Sequence, residues 1–497
     1  MSATLTETAS IVPNLIGGKW TRPSVARYGE VFNPSTGEVI GRAPFCGAKE
    51  VDDAVNAAEK AFKSWANMPV MKRAAILFRY RELMNQQADE LIQLVTKENG
   101  KTIEESKGDV RRGLEVIEFC CGISHLSKGE SIPQIADELD GVTMREPIGI
   151  CAGITPFNFP AMVPLWMYPM AIACGNTFIL KPSEKVPLTA VRMAELFQEA
   201  GLPDGVMNVV HGGREVVDAL CTHPKIAAVS FVGSTRVAKH VYDLSSQHGK
   251  RCQSAGGAKN VLLVMPDADP DSTMRAVMGS AFGNAGQRCM AGSVIMGIGK
   301  DQDPLRDLVL NNMRKLKMDD TLANPKADMG PVIDGGSRDR IRKIVAMAPS
   351  EGAKVVEDGT KVNRDRGFFV GPTLIDQVKP QMSVFREEIF GPVLSMLRPQ
   401  TLDEAIAIMN GIEYGNGASI FTTSGAPARK FVRDIQCGMI GVNIGVPAPM
   451  ALFSFSGWNQ SFFGDLHVQG VEGMLFYTRQ KTVMSRWDSN YVRQHGW

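Results

Sequence analysis

The chain has 497 residues, with 54 basic and 53 acidic side chains, a formal net charge of +1 and 44% hydrophobic residues. That much apolar surface excludes a mainly disordered protein, and the balanced charge excludes a general polyanion binder, because nucleic-acid binding needs a concentrated basic surface. At roughly 150 residues per domain, there is room for about three domains.

The opening stretch, Met1–Pro13, has no basic segment followed by an apolar one and is not arginine-rich, so it reads as neither a secretory nor a mitochondrial signal. Val51, Ala54, Val55, Ala58, Ala61, Phe62 and Trp65 recur at helical spacing. Ile76, Leu77, Tyr80, Leu83, Met84, Leu91, Ile92 and Val95 do the same, with Gly100 as a helix stop. The early chain therefore reads as helical hairpins.

From Pro147 to Leu180 there are 34 residues without Asp, Glu, Lys or Arg. A membrane helix needs about 20 apolar residues, so the length permits a span. Pro147, Pro156, Pro160, Pro164, Pro169 and three glycines interrupt it, however. Each interior proline costs a helix about 3 kcal/mol. The stretch reads as a buried, irregular segment of a soluble enzyme.

After it the rhythm changes. Thr177–Lys181 is predicted as a strand, Leu188–Ala200 as a helix stopped by Gly201, and Met207–His211 as a strand. Arg214–Thr222 is a helix, Ala227–Val232 a strand, a helix opens at Thr235, and Val261–Met265 is a buried strand. Residues 295–460 are mixed, with helices near 303–317 and 402–410, and Met474–Trp487 reads as a strand-like tail. Alternating strands and helices imply right-handed βαβ units and a parallel sheet, with ligands beyond the strand C-termini.

The nine cysteines are odd in number and contain no CxxC, which suits free thiols in a reducing cytoplasm. The seven histidines form no metal-ligand spacing, so no metal site is expected.

Four constellations carry potential chemistry. Cys289 lies in Gly283-Asn-Ala-Gly-Gln-Arg-Cys-Met-Ala-Gly292, where small neighbours leave room for a substrate and Arg288 favours the thiolate. On context alone it reads more readily as one of nine structural thiols. Asn158, in Ile154-Thr-Pro-Phe-Asn-Phe-Pro160, is an amide in an apolar setting, either an oxyanion donor or a turn former. Phe231-Val-Gly-Ser-Thr235 ends a strand and opens a helix at Ser234, as an anion site does and as many ordinary turns do. Lys181-Pro-Ser-Glu184 follows a strand, either gripping ribose hydroxyls or forming a surface ion pair. No strand is followed by GxGxxG, so an ordinary dinucleotide fingerprint is absent.

Taken together, six ordered motifs resemble the aldehyde dehydrogenase superfamily. They are Phe32-Asn-Pro-Ser-Thr-Gly37, Pro156-Phe-Asn-Phe-Pro160, Lys181-Pro-Ser-Glu184, Phe231-Val-Gly-Ser-Thr235, Gly286-Gln-Arg-Cys289 and Glu387-Glu-Ile-Phe-Gly-Pro392. The resemblance implies an α/β fold with two parallel-sheet domains, one Rossmann-like for NAD and one catalytic, plus a small β oligomerisation arm. It implies an NAD-binding domain over 1–128 and 149–259, a catalytic domain over 260–460, and an arm over 129–148 and 461–497. It implies Cys289 as nucleophile and Asn158 as oxyanion donor. Lys181, Glu184 and Ser234 match positions at the adenosine end, with Lys185 beside them. Thr155 and Phe157 match positions near the nicotinamide, and Glu388 the nicotinamide-ribose ligand with Phe390 beside it. A cytoplasmic homodimer or homotetramer, without nucleic-acid or membrane partners, is expected.

Within the superfamily the chain is most similar to the methylmalonate-semialdehyde dehydrogenases, which are acylating and use coenzyme A as co-substrate. Cys151–Met167, Cys174–Phe178, Met265–Ala268 and Phe476–Thr478 carry that likeness. It implies Arg112 and Arg288 as ligands of a semialdehyde carboxylate, each charge-assisted bond worth roughly 1.5–3 kcal/mol. Arg111 is the expected solvent-facing neighbour. Hydrolytic members carry a general-base Glu where this chain has Ala255, which suits transfer to a thiol. The alternatives are a hydrolytic dehydrogenase of another semialdehyde, such as succinate semialdehyde, and a catalytically retired NAD-binding protein.

Overall fold

The computed structural model describes residues 10–490. Residues 1–9 and 491–497, which the expected NAD-binding domain and arm include, lie outside the described residues.

Two sheets organise the chain. The first has eight strands in the order Lys19–Thr21, Asn14–Ile16, Met207–Val209, Thr177–Lys181, Ile150–Ile154, Ile226–Val232, Arg251–Ala255, Phe462–Phe463. Its middle strands pair in parallel, and both edges are antiparallel. The second has seven: Lys354–Glu357, Thr373–Asp376, Val393–Leu397, Gly292–Gly297, Asn260–Val264, Gly417–Phe421, Met439–Val442. Only its first strand runs antiparallel. A third, antiparallel sheet joins Thr478–Arg486, Leu139–Pro147 and Ser131–Ala136. This is the expected pair of parallel-sheet α/β units with a small β arm, refined by antiparallel edges.

The chain leaves the first sheet at Ala255 and enters the second at Asn260. In the first sheet, the path from Ile150–Ile154 runs outward through Thr177–Lys181 and Met207–Val209, then returns to place Ile226–Val232 on the opposite side. The order reverses between Ile150–Ile154 and Ile226–Val232, and crevices for ligands form at the carboxyl ends of such strands. Thr155–Asn158 and Gly233–Ser234 follow those two ends directly.

Several expectations change. Short strands at Asn14–Ile16, Lys19–Thr21, Tyr28–Phe32 and Val39–Pro44 precede the helices. Their segments are too short and too weakly alternating for period to reveal them. The helices are Ala48–Ala66, Val70–Gln86 and Ala88–Asn99, the last capped by left-handed Gly100 (φ 87°).

The uncharged stretch is buried but regular. It contains the strand Ile150–Ile154 and the helix Met162–Ala173, with Pro164 in the first turn, where the missing N–H has no intrahelical partner in any case. Pro169 sits inside the helix, in a run from Val163 to Ala173 that is buried throughout. Met474–Phe476 belongs to the helix Gly470–Phe476, so the tail becomes a strand only at Thr478. Phe462–Phe463 joins the edge of the first sheet, so within 461–490 only Thr478–Arg486 enters the arm sheet.

Candidate active site

A cleft of about 880 Å³ opens along the carboxyl edge of the first sheet. Thr155, Phe157, Asn158, Lys181, Glu184, Lys185, Ser234, Glu388, Phe390 and Cys289 all line it. The structure therefore gathers ten of the twelve expected site residues around one space. Lys181 ends its strand, and its Nζ lies 3.0 Å from the Glu184 carboxylate. That pair lowers the Glu184 pKa against the opposing effect of burial. Ser234 is the N-cap of the helix Thr235–Gln247, yet its hydroxyl makes no capping bond and stays available at a helix N-terminus. Phe157 and Phe390 meet edge to face at 5.7 Å. Lys185 is already engaged: its Nζ pairs with Asp334 at 2.6 Å and lies 5.1 Å from the centre of the Phe157 ring. These groups fit a dinucleotide, with a paired Lys/Glu for hydroxyls, a helix N-terminus for phosphate and aromatic faces for a ring.

Glu388 accepts a bond from the Ala258 N–H at 2.9 Å. Burial pushes its carboxyl up to about 7, partly offset by that bond and by Lys259 and Arg340. Lys259 is itself buried, donating to the carbonyls of Val384 at 2.8 Å and Glu387 at 2.7 Å. It thereby ties the linker between the two sheets to the Glu388 segment. Ala255 is 3% exposed and ends the Arg251–Ala255 strand.

The loop that carries Cys289 is held by an unusual backbone. Asn284, Ala285 and Gly286 have φ of 50°, 49° and 71°. A Cβ on Gly286 would meet the Gly391 carbonyl oxygen at 2.1 Å, so only glycine fits there. The Cys289 carbonyl accepts bonds from Asn260 (2.8 Å), which opens the strand Asn260–Val264, and from Asn416 (2.9 Å), just before the strand Gly417–Phe421. Of the nine cysteines, all free, Cys289 alone is partly exposed. Its thiol is pushed up to about 12 by burial first and by Glu388 second. Arg288 acts in the expected direction, toward the thiolate, but is the smallest contributor and is outweighed. The reason is geometric, since the Arg288 guanidinium bonds Glu105 at 2.8 Å and the Gly279 carbonyl at 3.2 Å.

Asn158 is 4% exposed, and its side chain bonds no described residue. Its backbone carbonyl is gripped by Lys101 Nζ at 2.7 Å and by Asn284 Nδ2 at 3.3 Å. Lys101 in turn pairs with Asp109 at 3.0 Å, and Asp109 accepts from the Met162 N–H at 2.7 Å. A buried charge pair thus fixes the segment that presents the amide.

On its other side Cys289 lines a second, narrower cavity with Arg112, Glu115, Arg288, Phe159, Trp166 and Phe455. This brings the two remaining expected residues, Arg112 and Arg288, to the cavity that Cys289 also lines. Arg112 is 44% exposed and bonds Glu115 at 2.8 Å, while Arg111 is 81% exposed, as expected of a solvent-facing neighbour. Sequence reasoning missed Lys101, Glu105, Asp109, Glu115, Asn260 and Asn416. A signal for two of them existed: Glu105 and Asp109 fall at helical spacing on the same face of the helix Ile103–Cys121 as the expected Arg112. The asparagines follow no period. No group of three or more possible metal ligands occurs among the described residues.

Comparison with known proteins agrees with this geometry. The chain is 47% identical over 484 residues to a malonate-semialdehyde dehydrogenase of Halalkalibacterium halodurans, covering 97% of this chain and 99% of that one. It is 49% identical over 494 residues to malonate-semialdehyde dehydrogenase 1 of Geobacillus kaustophilus, covering 98% and 100%. The crystal structure of methylmalonate-semialdehyde dehydrogenase from Oceanimonas doudoroffii superposes with a TM-score of 0.94 at 46% identity, over 97% of this chain and 99% of that one. The family model for the aldehyde dehydrogenase family matches residues 20–483. A backbone of this kind, a lone accessible cysteine between a cofactor-sized cleft and a second cavity, and likeness over nearly the full length lead to one conclusion: the chain belongs to the aldehyde dehydrogenase family.

Proposed function

We propose that this protein oxidises malonate or methylmalonate semialdehyde with NAD and transfers the acyl group to coenzyme A, releasing the carboxylate as CO2 and forming acetyl- or propionyl-coenzyme A. The observation that carries this reading is the shared wall of Arg112, Arg288 and Cys289, two cations beside one nucleophile. The names of the malonate- and methylmalonate-semialdehyde dehydrogenases it resembles support it, as does a Sinorhizobium meliloti relative solved with NAD (TM-score 0.95, 44% identity, 97% and 99% coverage).

In this reading the Cys289 thiolate attacks the aldehyde carbon, and the Asn158 amide and the Cys289 N–H bond the resulting alkoxide. NAD, when bound in the cleft, supplies the hydride acceptor. Lys181, Glu184 and Ser234 hold its adenosine end, with Lys185 beside them, and Glu388 its nicotinamide ribose, with Thr155, Phe157 and Phe390 around the ring. Loss of hydride from the carbon leaves a thioester on Cys289. Its carbonyl lies β to the carboxylate, so the carbon–carbon bond breaks to CO2 while the electron pair is held as an enolate that then takes a proton. The coenzyme A thiolate attacks the remaining thioester, and the Cys289 thiolate leaves. Ala255 cannot take a proton from water, so hydrolysis is slow and the thiol is the preferred acceptor. The three-stranded arm joins subunits into a homodimer or homotetramer.

The test is turnover on both semialdehydes with and without coenzyme A, with products identified. NADH should form continuously only with coenzyme A, and the product should be a thioester. Rapid steady turnover to free acid in plain buffer would instead indicate a hydrolytic dehydrogenase.

A further inference from the structure

Each arginine of the narrower cavity is paired with a carboxylate, and the two carboxylates differ in how firmly they are held. Arg288 bonds Glu105 at 2.8 Å. Glu105 is committed elsewhere too: it accepts from the Asn284 N–H, and its other oxygen accepts from the Thr102 N–H at 3.0 Å. Moving it would unfasten both the nucleophile loop and a helix cap. Glu115 is different. Its bonds are to Arg112 at 2.8 Å and, more loosely, to Arg111 at 3.6 Å. No backbone N–H holds it. Arg112 is bonded to Glu115 and to no other described group, and both line the cavity with Cys289.

We infer that Glu115 is a specificity-determining residue: it occupies Arg112 until the carboxylate of a semialdehyde acid displaces it. This rests on the proposed substrate class. An exchange of this kind is cheap, because a partly exposed ion pair is worth little and one carboxylate replaces another on the same guanidinium. An uncharged aldehyde cannot displace Glu115, so for such a substrate Arg112 stays neutralised and the cavity wall carries no unpaired cation. Glu115 therefore sets the affinity for acids without touching the reacting atoms.

The experiment compares Glu115→Gln, Arg112→Ala and the double variant with the parent. Apparent KM and kcat are read for malonate semialdehyde and for propanal, with NAD and coenzyme A saturating. Glu115→Gln should lower the KM for malonate semialdehyde by roughly two- to tenfold, leaving kcat and both propanal parameters essentially unchanged. Arg112→Ala should raise the semialdehyde KM selectively, and in that background Glu115→Gln should have no further effect. A semialdehyde KM that stays constant or rises in Glu115→Gln, while Arg112→Ala remains selective, overturns the inference and makes Glu115 a buttress for Arg112. If Arg112→Ala changes both substrates alike, the carboxylate-binding reading fails and the inference goes with it.

Discussion

Lys101 and Asp109 carry opposite charges on side chains that are both 0% exposed, 3.0 Å apart. Burial lowers the lysine pKa and raises that of the aspartate, each restrained by its partner. Removing one partner of such a pair costs about 3–5 kcal/mol, because the other charge is left uncompensated. The pair also holds the Asn158 carbonyl, so its loss displaces the amide as well. Lys101→Met should therefore lower both thermal stability and the rate of the NADH burst. Lys101→Met combined with Asp109→Asn should regain most of the stability while the burst stays about 10–100-fold slow. Recovery of both together would show that Lys101 acts on folding alone. At this scale the sequence named Cys289 and Asn158 through their motifs. It did not reveal Lys101, a charged residue beside a glycine whose partner is eight positions away.

Among the elements, the helix Ile103–Cys121 does the most for the site. Glu105 fastens the Cys289 loop, Asp109 the segment after Asn158, and Arg112 reaches the second cavity. A second element is held by a buried acid. Glu98 accepts from the N–H groups of Leu188 at 2.8 Å and Thr189 at 2.9 Å, where the helix Leu188–Glu199 begins. Burial pushes its carboxyl up from 4.5 to about 7 despite those bonds. The folded state therefore holds this proton more tightly than the unfolded chain does. Its stabilising effect is complete below about pH 4.5 and is lost as pH rises to about 7, a change on the order of 3 kcal/mol. Glu98→Gln cannot titrate, so the melting temperature of the parent relative to this variant should fall across that window. A constant difference would mean that Glu98 is ionised throughout. Element periods were legible where burial is one-sided, as in Arg214–Thr222, which the structure reproduces. They failed in Met162–Ala173, where burial on all sides erases the period and prolines mimic a loop.

The whole molecule draws its parts from distant segments. The arm pairs Leu139–Pro147 with Thr478–Arg486 through nine matched positions. Ile132, Ile135, Met144 and Met484 stand about half exposed or more on it, at 56, 50, 47 and 51%. Exposed apolar groups on a small sheet are suited to covering by another subunit. If the arm joins subunits, truncation before Thr478 should reduce the particle mass measured by light scattering, and an unchanged mass would deny the arm that role. No helix among the described residues is long and apolar enough to cross a membrane, so the uncharged stretch is accounted for inside the fold.

By itself the sequence determined the α/β class and the family motifs, and through those motifs it picked out Cys289, Asn158, the residues expected on the cofactor side and Ala255. Each of these is a local pattern, written in neighbouring residues or in a period of the chain. Only the tertiary structure decided which charges meet. It paired Arg288 with Glu105, Arg112 with Glu115 and Lys185 with Asp334, and so turned three expected free cations into partnered ones. It also set the resting Cys289 thiol high rather than low. The reason is physical: a charge is governed by distance and by exclusion of water, and neither is encoded in the order of residues along the chain.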